Sequence, residues 1–116
     1  MNKKKRILIF IDWFLPGYRA GGPIQSCANL IEQLKDEFDF SIVTRNTDYK
    51  SDTPYLNVKS DEWDSLENGT RTYYFSSGNL SKKNIDKLLK SENYDVVYLN
   101  GIYSLYFSIY PLLYLK

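Results

Sequence analysis

The residues able to do chemistry fall in two short stretches, each directly behind an apolar run. The first begins at Asp12-Trp13 and ends in Arg19-Ala20-Gly21-Gly22-Pro23-Ile24-Gln25; the second is Leu99-Asn100-Gly101-Ile102-Tyr103. Paired glycines let a ligand approach the backbone, and N–H groups at the start of a following helix favour an anion. Arg19 would add a charge-assisted donor. The chemistry expected of such a loop is contact with a phosphate or diphosphate. Neither G-x-G-x-x-G nor G-x-x-x-x-G-K-[ST] occurs here, however, so the glycines alone also fit a plain turn. Asn100-Gly101 likewise reads either as a strand-ending turn or as a pocket lining.

Other chemistries are excluded by composition. The chain has no histidine and one cysteine among 116 residues. Ser-His-Asp and Cys-His catalysis, His-based metal sites and disulfide frameworks are therefore absent, and no metal is expected. Cys27 reads as a small core residue. Asp12 as a general acid or base lacks a second carboxylate placed by sequence. A net charge of +1, with both signs interspersed, gives no case for nucleic acid as a partner. Lys3, Lys4, Lys5 and Arg6 read as a solvated cluster and leave room for peripheral contact with an anionic membrane. The apolar start is too short for a signal-peptide core, and the tail, interrupted by Pro111, is too short to span a bilayer. A cytoplasmic location is expected.

The elements that position these residues follow from periodicity. Residues 6–13 are a continuous β-prone run, as in a parallel strand covered on both faces. Over 23–37 the period changes, with Ile24, Cys27, Ala28, Ile31 and Leu34 forming a helical stripe behind Pro23. Residues 38–45 read as a second strand, completing a βαβ unit. Residues 46–68 carry little pattern apart from Trp63, an aromatic that would face a ligand or anchor the loop. A short strand at 70–76 has the least certain place. A helix capped by Ser81 and a buried strand at 95–99 follow, and an apolar helix begins near Leu105. The expectation is an α/β fold: an open, doubly wound, Rossmann-like, mostly parallel sheet formed by residues 1–116 as one domain. Tyr103 and Tyr106 read as core or interface aromatics before ligand contacts. Tyr106, Phe107, Tyr110, Leu112 and Leu113 would form an apolar face with no strand to cover it, the mark of a dimer interface or of a larger protein.

Taken together, "ILIFIDWFLPGYRAGGP", "IQSCANLIEQLKDEFDFSIVT", "NGTRTYYFS" and "YDVVYLNGIYS" resemble one family over nearly the whole chain. They are similar to the N-terminal domain of nucleotide-sugar glycosyltransferases of GT-B architecture, specifically the large retaining family four. The resemblance implies an acceptor-side domain working in polysaccharide or glycoconjugate assembly. A C-terminal domain, absent here, would bind the donor. It places Gly21 and Gly22, with Arg19 and Gln25 nearby, beside the donor diphosphate and transferred sugar. Asp12, Trp63, Asn100, Gly101 and Tyr103 become candidates for the acceptor cleft. A histidine common in the family after the 95–99 strand is replaced here by Asn100, which can hydrogen-bond a sugar hydroxyl but cannot act as a base. Retaining transfer is thought to draw on the donor phosphate as base, so no catalytic residue is assigned beyond Asn100 as a weak candidate. The implied partners are the donor domain, a nucleotide-sugar as co-substrate rather than a cofactor, and a saccharide or lipid-linked acceptor. Without a positioned donor, the 116-residue chain alone is expected to be inactive. The alternative is a non-catalytic α/β module that binds a phosphorylated ligand or a partner protein.

Overall fold

The structure is a computed structural model that describes residues 4–100 and 104–115. Five strands form one sheet in the order β3-β4-β2-β1-β5. β1 (Lys5–Ile11) lies at its centre between β2 (Phe38–Arg45) and β5 (Val96–Asn100), parallel to both. β4 (Arg71–Phe75) extends the parallel set beyond β2. The four form the parallel set expected, with the 70–76 strand next to β2. The 95–99 strand, expected to be buried, is instead the edge β5 and leaves Val96 and Tyr98 exposed, because no further strand covers its outer side among the described residues. β3 (Trp63–Ser65) pairs antiparallel with β4 as a three-residue edge.

That edge lies inside the 46–68 stretch, which shows no strand period. Bridges Thr47–Pro54 and Ser60–Tyr74 add further order to it. Three residues are too few to display an alternation, so pairing with β4 rather than local pattern forms this strand.

Helices cover both faces. α1 (Gly22–Leu34) buries Ile24, Cys27 and Ile31 against Ile9, Ile11, Phe40 and Ile42. α2 (Lys82–Ser91) buries Ile85, Leu88 and Leu89 against Leu8, Phe10, Val43 and Phe75. Alternate residues of β1 therefore serve two cores, which is why its sequence is apolar without a break.

After β5 the chain makes a π-helical turn, η1 (Leu105–Ile109), and then α3 (Tyr110–Leu115). Pro111 cannot donate to the carbonyl four residues back, and a widened turn directly before it accommodates that loss. Phe107 departs from the sequence expectation. It is fully buried, 6.4 Å from Phe10 between ring centroids, and belongs to the core rather than to an exposed face. Tyr106 and Tyr110 are half-buried, 5.6 Å apart in an edge-to-face pair. Leu112 and Leu113 are exposed as expected. Among the described residues no helix is long and apolar enough to cross a membrane.

Candidate functional site

The chain leaves β1 through α1 toward β2 and returns to the other side of β1 as β5. The carboxyl ends of β1 and β5 thus flank a topological switch point, where open α/β sheets form ligand crevices. A crevice of about 380 Å³ opens there, lined by Asp12, Trp13, Arg19, Tyr49 and Asn100 over Ile11, Ala20 and Pro23. The two stretches that stood out in the sequence converge on it. Asn100, the last residue of β5, is in register with Ile11, one residue before Asp12.

Asp12 is fixed from two sides. Its Oδ1 accepts from Ser104 Oγ at 2.8 Å and from Arg45 Nη2 at 3.3 Å. The Arg45 guanidinium in turn sits 5.6 Å from the Trp13 ring, 5.3 Å from Phe107 and 5.9 Å from Tyr106. Its Nε is buried without a hydrogen-bond partner. An aromatic enclosure of this kind holds a cation through the ring quadrupoles and keeps Asp12 oriented as an acceptor.

The loop between β1 and α1 is shaped by a second carboxylate. Asp48 accepts from the backbone N–H groups of Tyr49 at 2.8 Å, Arg19 at 3.1 Å and Tyr18 at 3.2 Å. Burial works to raise the Asp48 pKa, but these N–H groups and the Arg19 charge outweigh it and hold the carboxyl below its usual range. Tyr55 Oη donates to Phe14 O at 3.2 Å, and Tyr74 Oη donates to Leu15 O. Burial, with the nearby Asp48 charge, pushes the Tyr55 hydroxyl up to about 12. The backbone of Arg19 is therefore anchored. Its guanidinium, on the crevice wall, has no hydrogen bond or ion pair among the described residues.

Gly21 caps α1 at φ 70°, a conformation glycine adopts without a Cβ penalty. A Cβ on either Gly21 or Gly22 would meet nothing within 4 Å, so the backbone stands open to a ligand. The donors are fewer than the paired glycines suggest. Gly21 N–H donates to Tyr18 O, and Ile24 and Gln25 both donate to Gly21 O. Pro23, at the second helical position rather than the first, has no N–H. Gly22 N–H alone is unengaged among the described residues of this helix start.

The remaining candidates separate. Gln25 lies on the exposed face of α1, bonded to Asn29 at 3.0 Å, and does not line the crevice. Trp63 lies on β3, at the opposite edge of the sheet, packed 5.4 Å from Tyr73. It anchors its segment and does not join the Asp12–Asn100 group. Gly101 and Tyr103 lie outside the described residues. No group of three or more metal-ligating side chains is assembled among the described residues. Arg45, Asp48 and Tyr49 escaped notice in the sequence. Arg45 was accessible to the strand-end argument applied to β1 and β5, since it closes β2. Asp48 and Tyr49 stand in a stretch without period, and only the folded loop brings Tyr49 to the crevice and Asp48 to the Arg19 backbone.

Comparison with known proteins adds no relative: no family model, no curated protein and no solved structure matches the chain.

Proposed function

We propose that this chain is the acceptor-side domain of a GT-B type glycosyltransferase, moving a sugar from a nucleotide-sugar to a saccharide or lipid-linked acceptor. The observation that carries the reading is the switch-point crevice, with an oriented carboxylate, an amide and two aromatic rings on one wall system. Asp12 and Asn100 can accept hydrogen bonds from sugar hydroxyls. Trp13 and Tyr49, 4.8 Å apart and nearly perpendicular, offer ring surface to the apolar face of a pyranose. Arg19, on the crevice wall, and the open Gly22 N–H nearby in sequence would donate hydrogen bonds to a donor phosphate. The donor itself would be held by a further domain, so the chain alone binds acceptor saccharide weakly, binds nucleotide-sugar still more weakly and turns neither over.

The test uses the Trp63→Phe variant, in which Trp13 is the one remaining tryptophan. Titration with methyl glycosides and short oligosaccharides is expected to change Trp13 emission, and Asn100→Ala to abolish the change. Tight binding of UDP- or GDP-sugars by calorimetry would sink the proposal, because it would place the nucleotide site on this half. The second reading, a module for a phosphorylated ligand, is favoured by the Arg19 guanidinium, which lines the crevice without a hydrogen bond or close ion pair among the described residues. It predicts that sugar phosphates bind and the matching neutral sugars do not, with the difference lost in Arg19→Ala.

A further inference from the structure

On the far edge of the sheet a second cavity, of about 320 Å³, lies between the β3–β4 hairpin and α2, and the crevice reading makes no use of it. Its floor is aromatic and apolar: Trp63, Tyr73, Phe75 and Leu88. Trp63 is held in place, with the Arg71 guanidinium 4.1 Å from its ring centroid and the Tyr73 ring 5.4 Å away at 74° to it. The rim is polar, and its geometry is set before any ligand arrives. Asp61 adopts φ 62°, unusual for a residue with a side chain, and its N–H donates to Tyr74 O at 2.8 Å. Its Oδ1 accepts from Ser76 N at 3.0 Å and its Oδ2 from Asn79 Nδ2 at 2.9 Å. Asn84 Nδ2 donates to the backbone carbonyl of Asn79 at 2.7 Å, which fixes the Asn84 amide against the chain there.

We infer that this cavity is a second binding site, for one unit of a neutral saccharide, separate from the switch-point crevice. Three features select that ligand class. An aromatic floor suits the flat C–H face of a pyranose, whose hydrogens meet the negative ring face. The fixed amides leave their carbonyl oxygens as acceptors, while Lys87 Nζ and the Tyr73 hydroxyl have no hydrogen-bond partner among the described residues; the rim thus offers both acceptors and donors to hydroxyl groups. The two charges, Asp61 and Lys87, are of opposite sign, so the site has no preference for an ion. Convergent polar groups over an apolar floor are the usual make-up of a small-molecule site. The inference stands on this cavity alone and does not need the crevice to bind anything.

The experiment is amide chemical-shift mapping of the 116-residue chain titrated with methyl α- and β-glucopyranoside, methyl galactopyranoside, maltotriose and, as the charged counterpart, glucuronate. The expected result is saturable movement of the Asp61–Trp63 amides, the Asn79 and Asn84 side-chain amides and the Lys87–Ser91 amides for at least one neutral sugar. Lys87→Ala, at an exposed position, is expected to weaken that binding about tenfold, the loss of one hydrogen bond from a charged donor. Three results would overturn the inference: shifts confined to residues 12–22, 49 and 100; preference for glucuronate over every neutral sugar; or no movement at tens of millimolar sugar. The first of these would leave the crevice proposal intact while removing this one, so the two failures are distinguishable.

Discussion

At Gly17 an added methyl group would fall 2.1 Å from Tyr55 Oη and 2.8 Å from Asp48 Oδ1, whereas at Gly22 it would meet open space. Two glycines five residues apart, one in the loop and one opening α1, therefore predict opposite outcomes. Gly17→Ala is expected to destabilise the fold by about 1–3 kcal/mol through overpacking, read as a lower urea midpoint. Gly22→Ala is expected to be neutral or to stabilise by up to about 1 kcal/mol, since alanine restricts the unfolded chain. Glu92 supplies the residue-scale pH dependence. Hydrogen bonds from Arg71 lower its pKa to about 2, against the upward push of burial, and Arg6 adds to the effect. Arg71 reaches both carboxylate oxygens, at 3.0 and 2.8 Å. Because the folded pKa is depressed, this stabilisation is fully present above the unfolded value and is lost as pH falls through about 2. Glu92→Gln should therefore cost about 1–2 kcal/mol at neutral pH, with the gap to wild type closing progressively below the ordinary carboxylate range. A gap independent of pH would contradict the assignment.

At the scale of elements, the two larger helices begin in different ways. α2 is capped by Ser81, whose hydroxyl accepts from Asn84 N at 3.2 Å, and Ser81→Ala is expected to lower stability by about 1 kcal/mol in thermal or urea unfolding. α1 has no side-chain cap; Gly21 closes it by conformation alone and leaves the helix start bare toward the crevice. Both starts were legible in the sequence, because caps and glycines are local signals. The continuous β-prone run of β1 likewise announced a buried parallel strand, and residues 38–45 read as the second strand of the βαβ unit. β3 was not legible, and neither was the π turn at 105–109. The edge strand depends on a partner distant in sequence, β4, and the turn combines the nearby Pro111 with the docking of Phe107 on Phe10.

At the scale of the whole molecule the two sheet edges are unequal. β3 ends one side after three residues, which leaves little backbone open to further pairing. β5 carries neither a charge nor a proline, and Val96 and Tyr98 on it are 49% and 43% exposed. Leu112 and Leu113 on α3 are each 55% exposed. Apolar surface of this kind favours association. Sedimentation velocity is expected to show the average mass rising with protein concentration, and Leu112→Lys with Leu113→Lys to reduce that rise without altering the circular dichroism spectrum. A wild-type chain that stays monomeric at high concentration would refute the expectation.

The sequence by itself determined the α/β class, the parallel strands, both main helices and the place of the Asp12–Gly22 loop and of Asn100 behind strand ends, since periodicity and turn signals are written in neighbouring residues. Only the tertiary structure decided which side chains complete the crevice. Tyr49 joins its wall from a loop without pattern, Arg45 of β2 and Ser104 beyond β5 hold Asp12 in place, and Asp48 anchors the Arg19 backbone; no local signal links them to Asp12. Trp63 went the other way, to the far edge, because its pairing with β4 lies outside anything its neighbours in sequence encode. The physical reason is the same in both directions: a backbone conformation is chosen by residues a few positions apart, whereas a cavity is enclosed by residues that meet only when the sheet has formed.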